Sequence, residues 1–216
     1  MTSAASSTLW TTIHAERSAL ADDLSQLDDA AWTTPSLCAG WTVQDVVAHL
    51  TAGASIGRFR WLASMSTTRF DDGRHNQRWI AEHRGATPAE TLQRFRDIVD
   101  STVAPSGHTE AWLGEVIVHG ADIRRPLGID HRPPTHAITT VADFFARRDF
   151  TVASASTIDG LQLRADDGPF HVGDGPLVTG TTVALVVAMA GRSAYLDDLD
   201  GPGVAQLRQR QLSGST

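Results

Sequence analysis

Apolar residues recur at helical spacing through residues 8–150 of the chain. In residues 8–31, leucine and isoleucine side chains stand at helical intervals among charged and amide residues, which predicts a long amphipathic helix. A second helix is predicted over Val43–Ser64, because Thr42 and Asp45 have the spacing of a capping box at its start. The first part of the chain is therefore expected to be helical.

Three more helices are predicted in the same region. Thr87 has the position of an N-cap, so a third helix with a proline in its first turn is expected over Pro88–Thr102. A fourth is expected over residues 109–128 and a fifth over residues 137–150, whereas the polar residues 71–85 predict a loop. Four long helices joined by short connections predict a helical bundle.

The hydrophobic pattern changes from helical spacing to alternation in the last third of the chain. Residues 161–172 contain two short alternating runs around an Asp-Asp-Gly-Pro turn, which predict a β-hairpin. A glycine-rich bend in residues 173–180 is expected to precede an apolar helix that is capped by Thr181 or Thr182. This part of the chain is therefore predicted to mix strands and helices.

The expected fold is mainly α, with a four-helix bundle in residues 1–153 and a small α+β C-terminal domain in residues 154–216. A chain of 216 residues, 41% hydrophobic and 20% charged, is long enough for one main core with a small appendage. The longest strongly apolar run, Val183–Ala190, is too short to span a bilayer, and the first residues lack the basic-then-apolar order of a secretory signal. We therefore expect a globular, cytoplasmic protein without a membrane partner.

Charge and reactive residue types narrow the possible partners. The formal net charge of −7 opposes nucleic-acid binding, because a phosphate backbone requires a clustered basic surface and the arginines here are scattered. All 18 basic residues are arginine, a usage typical of GC-rich codons. Four of them are expected on the solvated surface: Arg74, Arg78, Arg124 and Arg125. The single cysteine, Cys38, excludes an internal disulfide, and its apolar neighbours predict a packed, unreactive thiol.

The residues with the clearest chemical potential lie on the second and fourth predicted helices. Glu115 and His119 stand four positions apart and share one helix face, which Asp122 continues three residues later. His49 on the second helix would add a third ligand. A buried glutamate requires a partner, and the spacing alone leaves a metal site and a purely hydrogen-bonded network as equal alternatives. Two imidazole nitrogens and one carboxylate oxygen suit a divalent ion such as zinc, and Asp122 would then orient a ligand histidine.

Three segments of the chain resemble a known family. The segments AGWTVQDVVAHL and EVIVHGADIRRPLGI resemble the two signature motifs of the mycothiol-dependent maleylpyruvate isomerase family, which lies within the DinB-like four-helix metalloprotein superfamily. The stretch GDGPLVTGTTVALVVAMAGRSAYLDDLDGPGVAQL resembles the smaller C-terminal domain of that family. The resemblance covers most of the chain and implies a DinB-like bundle for its N-terminal part.

The resemblance implies roles for five residues. His49, Glu115 and His119 fall on the metal-ligand positions of the family, and Asp122 falls on the polar position after the second histidine. Arg192 falls on the arginine of a Gly-Arg motif in the small domain. Asp122 and Arg192 are therefore the candidate catalytic residues, and the Arg192 guanidinium would hold a substrate carboxylate as a two-pronged donor. The alternative for Arg192 is an ordinary cation at a helix C-terminus.

The implied activity uses a divalent metal, expected to be zinc, with mycothiol, the low-molecular-weight thiol of actinobacteria, as cosubstrate. A metal-coordinated thiol is deprotonated, and its thiolate attacks a small electrophilic substrate. The thiolate leaves again in a cis–trans isomerase and stays on the product in an S-transferase. Two alternatives remain open: a DinB-like hydrolase without mycothiol, in which the metal activates water, and a non-catalytic ligand-binding protein. Either a monomer or a homodimer is expected.

Overall fold

The computed structural model describes residues 2–55, 72–104 and 106–213. The chain divides into two compact units, residues 1–131 and residues 132–216. The first unit contains, within the described residues, the helices α1 (Thr2–Leu24), α2 (Val43–Ser55), α3 (Asp72–His83), α4 (Pro88–Arg96) and α5 (Thr109–Leu127). Helix α2 packs against α3, α4 and α5, and α1 packs against α4 and α5. This arrangement confirms the predicted helical bundle.

The core of the first unit joins α1, α2, α4 and α5. Its buried members are Leu20, Ala21, Leu24, Trp32, Val43, Val46, Val47, Leu50, Leu92, Phe95 and Ile123. Burying one leucine or valine side chain contributes about 1.5–3 kcal/mol, so a cluster of this size fixes the helices against one another. Helices α2 and α5, which carry the candidate ligands, are therefore held in a fixed relation.

Helix α2 begins where the capping pattern predicts. The Thr42 backbone N–H and hydroxyl both donate to Asp45 Oδ2, at 2.9 and 2.7 Å, and Asp45 N–H donates to Thr42 Oγ1 at 3.3 Å. This reciprocal pair satisfies donors that the first helical turn leaves without partners. The described helix covers Val43–Ser55; the part of the prediction over residues 56–64 lies outside the described residues.

The loop predicted over residues 71–85 is wrong, because residues Asp72–His83 form helix α3. Only a few apolar side chains mark this helix in the sequence, and they are enough once α2 is present: Trp79 and Ile80 are buried, and Trp79 packs with Ala52 of α2. Tertiary packing therefore overrides the polar composition. Asp71 lies outside the described residues.

Helix α4 starts at Pro88 after its N-cap Thr87, as predicted, but ends at Arg96 rather than at Thr102. The guanidinium of Arg17 on α1 donates to the carbonyls of Ile98 and Ser101, at 3.2 and 2.8 Å, in the turn that follows. Burial lowers the pKa of Arg17 to about 10. A buried cation thus satisfies carbonyls that a continued helix would have used.

The second unit combines four helices and a three-stranded sheet. Its elements are α6 (Thr135–Arg147), α7 (Ser154–Ile158), β1 (Gln162–Ala165), β2 (His171–Val172), β3 (Leu177–Gly180), α8 (Thr182–Met189), a 3-10 helix (Ser193–Asp198) and α9 (Val204–Ser213). The predicted boundary at residue 153 differs from the observed division after His131, because α6 packs against α7 and α8. Helix α6 therefore belongs to the small unit and not to the bundle.

The sheet confirms the predicted hairpin and adds a strand. Strands β1 and β2 pair antiparallel, with Leu163 opposite Val172, and β3 pairs parallel to β1. The sequence predicts a glycine-rich bend over residues 173–180, whereas Leu177–Gly180 form β3. A Cβ at Gly173 or Gly175 would lie 1.9 or 2.0 Å from a backbone carbonyl oxygen, so these glycines permit a close chain crossing just before the strand.

Helix α8 begins after Thr181, whose hydroxyl accepts a hydrogen bond from Ala184 N–H at 3.2 Å, as expected for its N-cap. Most of this helix is buried in the small unit. Among the helices within the described residues, none combines the length and the apolar character needed to cross a bilayer.

Candidate metal centre

The three predicted metal ligands converge where α2 packs against α5. His49 Nε2 lies 2.8 Å from Glu115 Oε1, and His119 Nε2 lies 3.6 Å from the same oxygen. One donor atom from each of the three side chains lies within 4.8 Å of the other two. The side chains of His49, Glu115 and His119 are 17%, 22% and 11% exposed, so the group is largely buried but retains some contact with solvent.

The local sequence of α5 explains how a carboxylate and an imidazole share one face. Glu115 and His119 are one turn apart, and the residues between them, Val116, Ile117 and Val118, are buried in the core. Gly120 follows directly; a Cβ there would lie 2.8 Å from the Arg124 guanidinium. The small residue thus leaves room for a buried arginine on the next turn.

Asp122 sits directly behind His119. Its side chain is fully buried, and its Oδ2 lies 2.9 Å from His119 Nδ1. An ionised carboxylate only accepts hydrogen bonds, so Nδ1 carries the proton in this contact. The Nε2 nitrogen of a neutral His119 then presents its lone pair towards Glu115 and His49. The predicted position of Asp122 beside the second histidine is therefore observed.

The electrostatic surroundings of His119 favour a positive charge. Burial lowers the pKa of its imidazole, but the charge of Glu115 and hydrogen bonds to Asp122 and Cys38 raise it, and the pKa lies at about 10 instead of 6.5. The carboxylates of Glu115 and Asp122, which lie 3.6 and 2.9 Å from the two ring nitrogens, would also stabilise a cation at this place. Two nitrogens and a carboxylate oxygen are donors that zinc accepts, so the residues present fit a divalent ion.

Two residues of the loop before α2 complete the surroundings of the site, and sequence analysis missed both. Cys38 Sγ lies 3.0 Å from Asp122 Oδ2 and 3.6 Å from His119 Nδ1, so the thiol does not merely pack in the core as predicted. The Trp41 ring centroid lies 5.0 Å from that of His49 and 6.5 Å from that of His119. The only sequence signal was their position just before a capped helix that carries a histidine.

Cys38, His119 and Asp122 also form a second group of three donors within 4.8 Å of one another. The two groups share His119 and use opposite nitrogens of its ring: Nε2 faces Glu115, and Nδ1 faces Asp122. The same imidazole thus connects the predicted ligand set to a buried polar cluster.

Arg192 lies in the second unit. Its Nη1 donates to the Ala190 carbonyl at 2.6 Å, directly after the end of α8. This contact is the one expected of a cation at a helix C-terminus, the alternative that the sequence left open. A catalytic role for Arg192 stays a prediction.

The surface expectation is wrong for Arg124. Its side chain is 5% exposed, and its Nε donates to Asp23 Oδ2 at 2.7 Å, which ties α5 to α1. Arg78 and Arg125 are exposed as expected, and the Arg74 side chain lies outside the described residues.

Comparison with known proteins identifies the N-terminal part of the chain. Residues 13–106 match the family model described as the mycothiol maleylpyruvate isomerase N-terminal domain. These residues therefore form a domain similar to the N-terminal domain of mycothiol maleylpyruvate isomerases. The resemblance found in the sequence motifs is thereby confirmed. His49 lies within the matched residues, whereas Glu115 and His119 lie beyond them.

Two solved structures have a similar fold. One is the crystal structure of the mycothiol-dependent maleylpyruvate isomerase, and the other is a point mutant of it. The chain is 18% identical to both, with TM-scores of 0.63 and 0.64, and the similarity covers 91% of this chain and 92% of the other. No curated protein sequence matches the chain significantly. The similarity shows that the chain shares the fold of these two structures over most of its length.

Proposed function

We propose that this protein is a divalent-metal-dependent enzyme that uses mycothiol to act on a small electrophilic substrate, by S-transfer or by thiol-assisted cis–trans isomerisation. The observation that carries the proposal is the carboxylate of Glu115, which lies 2.8 Å from Nε2 of His49 and 3.6 Å from Nε2 of His119. The match of residues 13–106 to the mycothiol maleylpyruvate isomerase N-terminal domain supports the choice of thiol.

His49, Glu115 and His119 would hold the ion, which we expect to be zinc. A bound divalent ion supplies a Lewis acid that lowers the pKa of a coordinated thiol enough to deprotonate it. Three protein ligands leave a coordination position open. The Glu115 side chain is 22% exposed, so the ligand group is not sealed from solvent.

The neighbouring residues prepare the ligands for this task. Asp122 accepts a hydrogen bond from His119 Nδ1, so the Nε2 nitrogen faces the ligand group and would coordinate a metal ion once its own proton is displaced. The aromatic ring of Trp41 lies beside both imidazoles and adds an apolar surface next to the ligand group. In the small unit, Arg192 is our candidate for binding a substrate carboxylate, since its planar guanidinium matches that group.

Metal analysis and a thiol-dependent assay test the proposal together. Wild type and the variants His49→Ala, Glu115→Ala and His119→Ala are analysed for bound metal, with His136→Ala, an exposed histidine of α6, as the matched control. We expect near-stoichiometric metal in wild type and in the control, and its loss in the three ligand variants. A wild-type protein that binds no metal even after reconstitution would refute the proposal and favour a non-catalytic ligand-binding protein.

Conversion is then followed for maleylpyruvate and for a chlorodinitrobenzene, each with and without mycothiol. Thiol that is required but not consumed indicates an isomerase, and thiol consumed in proportion to product indicates an S-transferase. Hydrolysis that proceeds at the same rate without thiol would contradict the mycothiol part of the proposal and support a metal-dependent hydrolase.

A further inference from the structure

The loop of residues 35–42 precedes α2 and contacts α5. Pro35 and Thr42 pair as an antiparallel bridge, and Ser36 N–H donates to the Trp41 carbonyl at 2.9 Å. Gly40 turns the chain with a φ of 79°, a conformation that favours glycine. The closed loop therefore holds its intervening residues in one conformation.

This loop forms hydrogen bonds with both the main chain and the side chain of Asp122. Leu37 N–H donates to the Asp122 carbonyl oxygen at 3.1 Å, and the Cys38 thiol donates to Asp122 Oδ2 at 3.0 Å. The same Oδ2 lies 2.9 Å from His119 Nδ1. Two donors thus converge on one oxygen of a carboxylate that is fully buried. A buried carboxylate without such donors would be costly and free to rotate away from the histidine.

We propose that Cys38 is a positioning residue of the metal centre. Its thiol holds Asp122 in place, and Asp122 in turn fixes the ring orientation and the tautomer of His119, so that Nε2 faces Glu115 and His49. The inference rests on the proposed function, since it requires His119 to be a metal ligand. Groups that hold a ligand histidine in this way strengthen its binding to the metal.

The hydrogen bonds distinguish positioning from two other roles for Cys38. As a donor to Asp122, the thiol keeps its proton, whereas a nucleophile or a metal ligand must lose it. Coordination by Cys38, Asp122 and His119 Nδ1 would also require Nδ1 to give up the proton that it shares with Asp122. Because the carboxylate of Asp122 only accepts hydrogen bonds, both contacts require a proton on Sγ and on Nδ1, and so they favour a supporting role.

Zinc affinity in three variants tests the proposal. Cys38→Ala removes the donor, Cys38→Ser retains one, and Ile98→Val removes a methylene group from the hydrophobic cluster against which Cys38 also packs. Zinc dissociation constants are measured by chelator competition under conditions where circular dichroism shows each variant folded. We expect Cys38→Ala to weaken zinc binding about tenfold to a hundredfold, with most of the loss recovered in Cys38→Ser and none seen in Ile98→Val.

A double-mutant cycle tests whether Cys38 acts through Asp122. In an Asp122→Asn background, Cys38→Ala should cause little further loss of affinity, because the link it supports is already broken. Full additivity of the two losses would overturn the proposal, as would an unchanged zinc affinity in Cys38→Ala.

Cobalt substitution separates positioning from direct ligation. The Co²⁺ form of wild type should show ligand-field absorption without a thiolate-to-metal charge-transfer band, and Cys38→Ala should shift the ligand-field bands. A charge-transfer band that disappears in Cys38→Ala would make Cys38 a ligand and overturn the positioning role. A wild type that binds neither zinc nor cobalt would refute the proposed function itself, whereas wild-type binding that Cys38→Ala leaves unchanged would refute only the inference about Cys38.

Discussion

The carboxylate of Glu115 lies 2.8 Å from the imidazole Nε2 of His49, although 66 residues separate the two in sequence. This contact joins α2 to α5 at the centre of the candidate site. The distance is that of a hydrogen bond, and the same two atoms would be ligands if a divalent ion were bound. His49 and Glu115 therefore have two possible roles: they link α2 to α5 by a hydrogen bond, and they would serve as two ligands of a metal ion.

Glu115→Gln separates these two roles. A glutamine amide still accepts a hydrogen bond from His49 Nε2, so the fold should survive, whereas the neutral oxygen is a much weaker metal ligand. We expect at least a tenfold loss of zinc affinity with a nearly unchanged melting temperature, measured by chelator competition and circular dichroism. Glu110→Gln, in the first turn of the same helix, is the control and should retain wild-type affinity. Equal zinc affinity in both variants would exclude Glu115 from the ligand set.

The buried pair of Arg124 and Asp23 predicts an asymmetric response to mutation. The Asp23→Ala variant leaves a guanidinium without its carboxylate at a position where the arginine side chain is 5% exposed. We expect it to lower the free energy of unfolding by about 1–3 kcal/mol. Adding Arg124→Met removes the stranded charge and should recover part of that loss. Urea unfolding gives the free energy of unfolding of the two single variants and of the double variant. A double variant less stable than Asp23→Ala would contradict the pairing.

The start of α4 predicts a pH-dependent contribution to stability. The backbone N–H of Ala86 and, next, the Arg94 side chain bind the Glu90 carboxylate and lower its pKa below 4.5. A group with a depressed pKa stabilises the folded state above its unfolded pKa and loses that contribution as the pH falls through its folded pKa. Wild type should therefore exceed Glu90→Gln in stability at neutral pH, and the difference should vanish in acid. A difference that persists or grows with acidification would rule this account out. Urea unfolding across the acidic range measures it, and salt should weaken the effect because the group is exposed.

Local signals predicted those parts of the fold that local chemistry determines. The sequence predicts the starts of the helices at Val43 and Pro88 because a capping box and a proline act over only a few residues. Helix α3 is not predicted because it is stabilised by the packing of Trp79 against α2. Strand β3 is not predicted because it pairs with β1, which lies earlier in the chain on the other side of β2 in sequence. The spacing of hydrophobic residues along the chain carries no information on contacts between separate elements.

The candidate site shows the same limit. The spacing of Glu115 and His119 predicted a shared face, since four residues make about one helical turn. The addition of His49 needed either the motif resemblance or the structure. The contact of Cys38 with Asp122 spans 84 residues and was visible in neither spacing nor motif. A cysteine with apolar neighbours in sequence was interpreted as packed because its polar partner comes from another helix.

Backbone crossing in the small unit predicts a sharp difference between two glycine substitutions. A Cβ at Gly175 would lie 2.0 Å from the Gly160 carbonyl oxygen, whereas a Cβ at Gly107 meets no atom within 4 Å. Gly175→Ala must displace the backbone beside β1 and should destabilise the protein clearly. Gly107→Ala should be neutral or stabilise it by about 0.4–1 kcal/mol, because alanine restricts the unfolded chain. Thermal unfolding compares them, and equal melting temperatures would show that the crossing is not as close as observed.

Arg192 has two possible roles, and Arg210 provides the control that separates them. Both guanidinium groups donate to a backbone carbonyl in the small unit, Arg192 to Ala190 at 2.6 Å and Arg210 to Thr157 at 2.8 Å. If Arg192 only caps a helix end, Arg192→Ala and Arg210→Ala should lower the melting temperature and leave the kinetics alone. If it also holds a substrate carboxylate, Arg192→Ala alone should raise KM for maleylpyruvate, with bound metal unchanged. We expect Arg192→Ala to raise KM, because the variant would lose a contact with the substrate carboxylate while the metal ligands remain in place. An unchanged KM in Arg192→Ala would assign this arginine to the helix end alone.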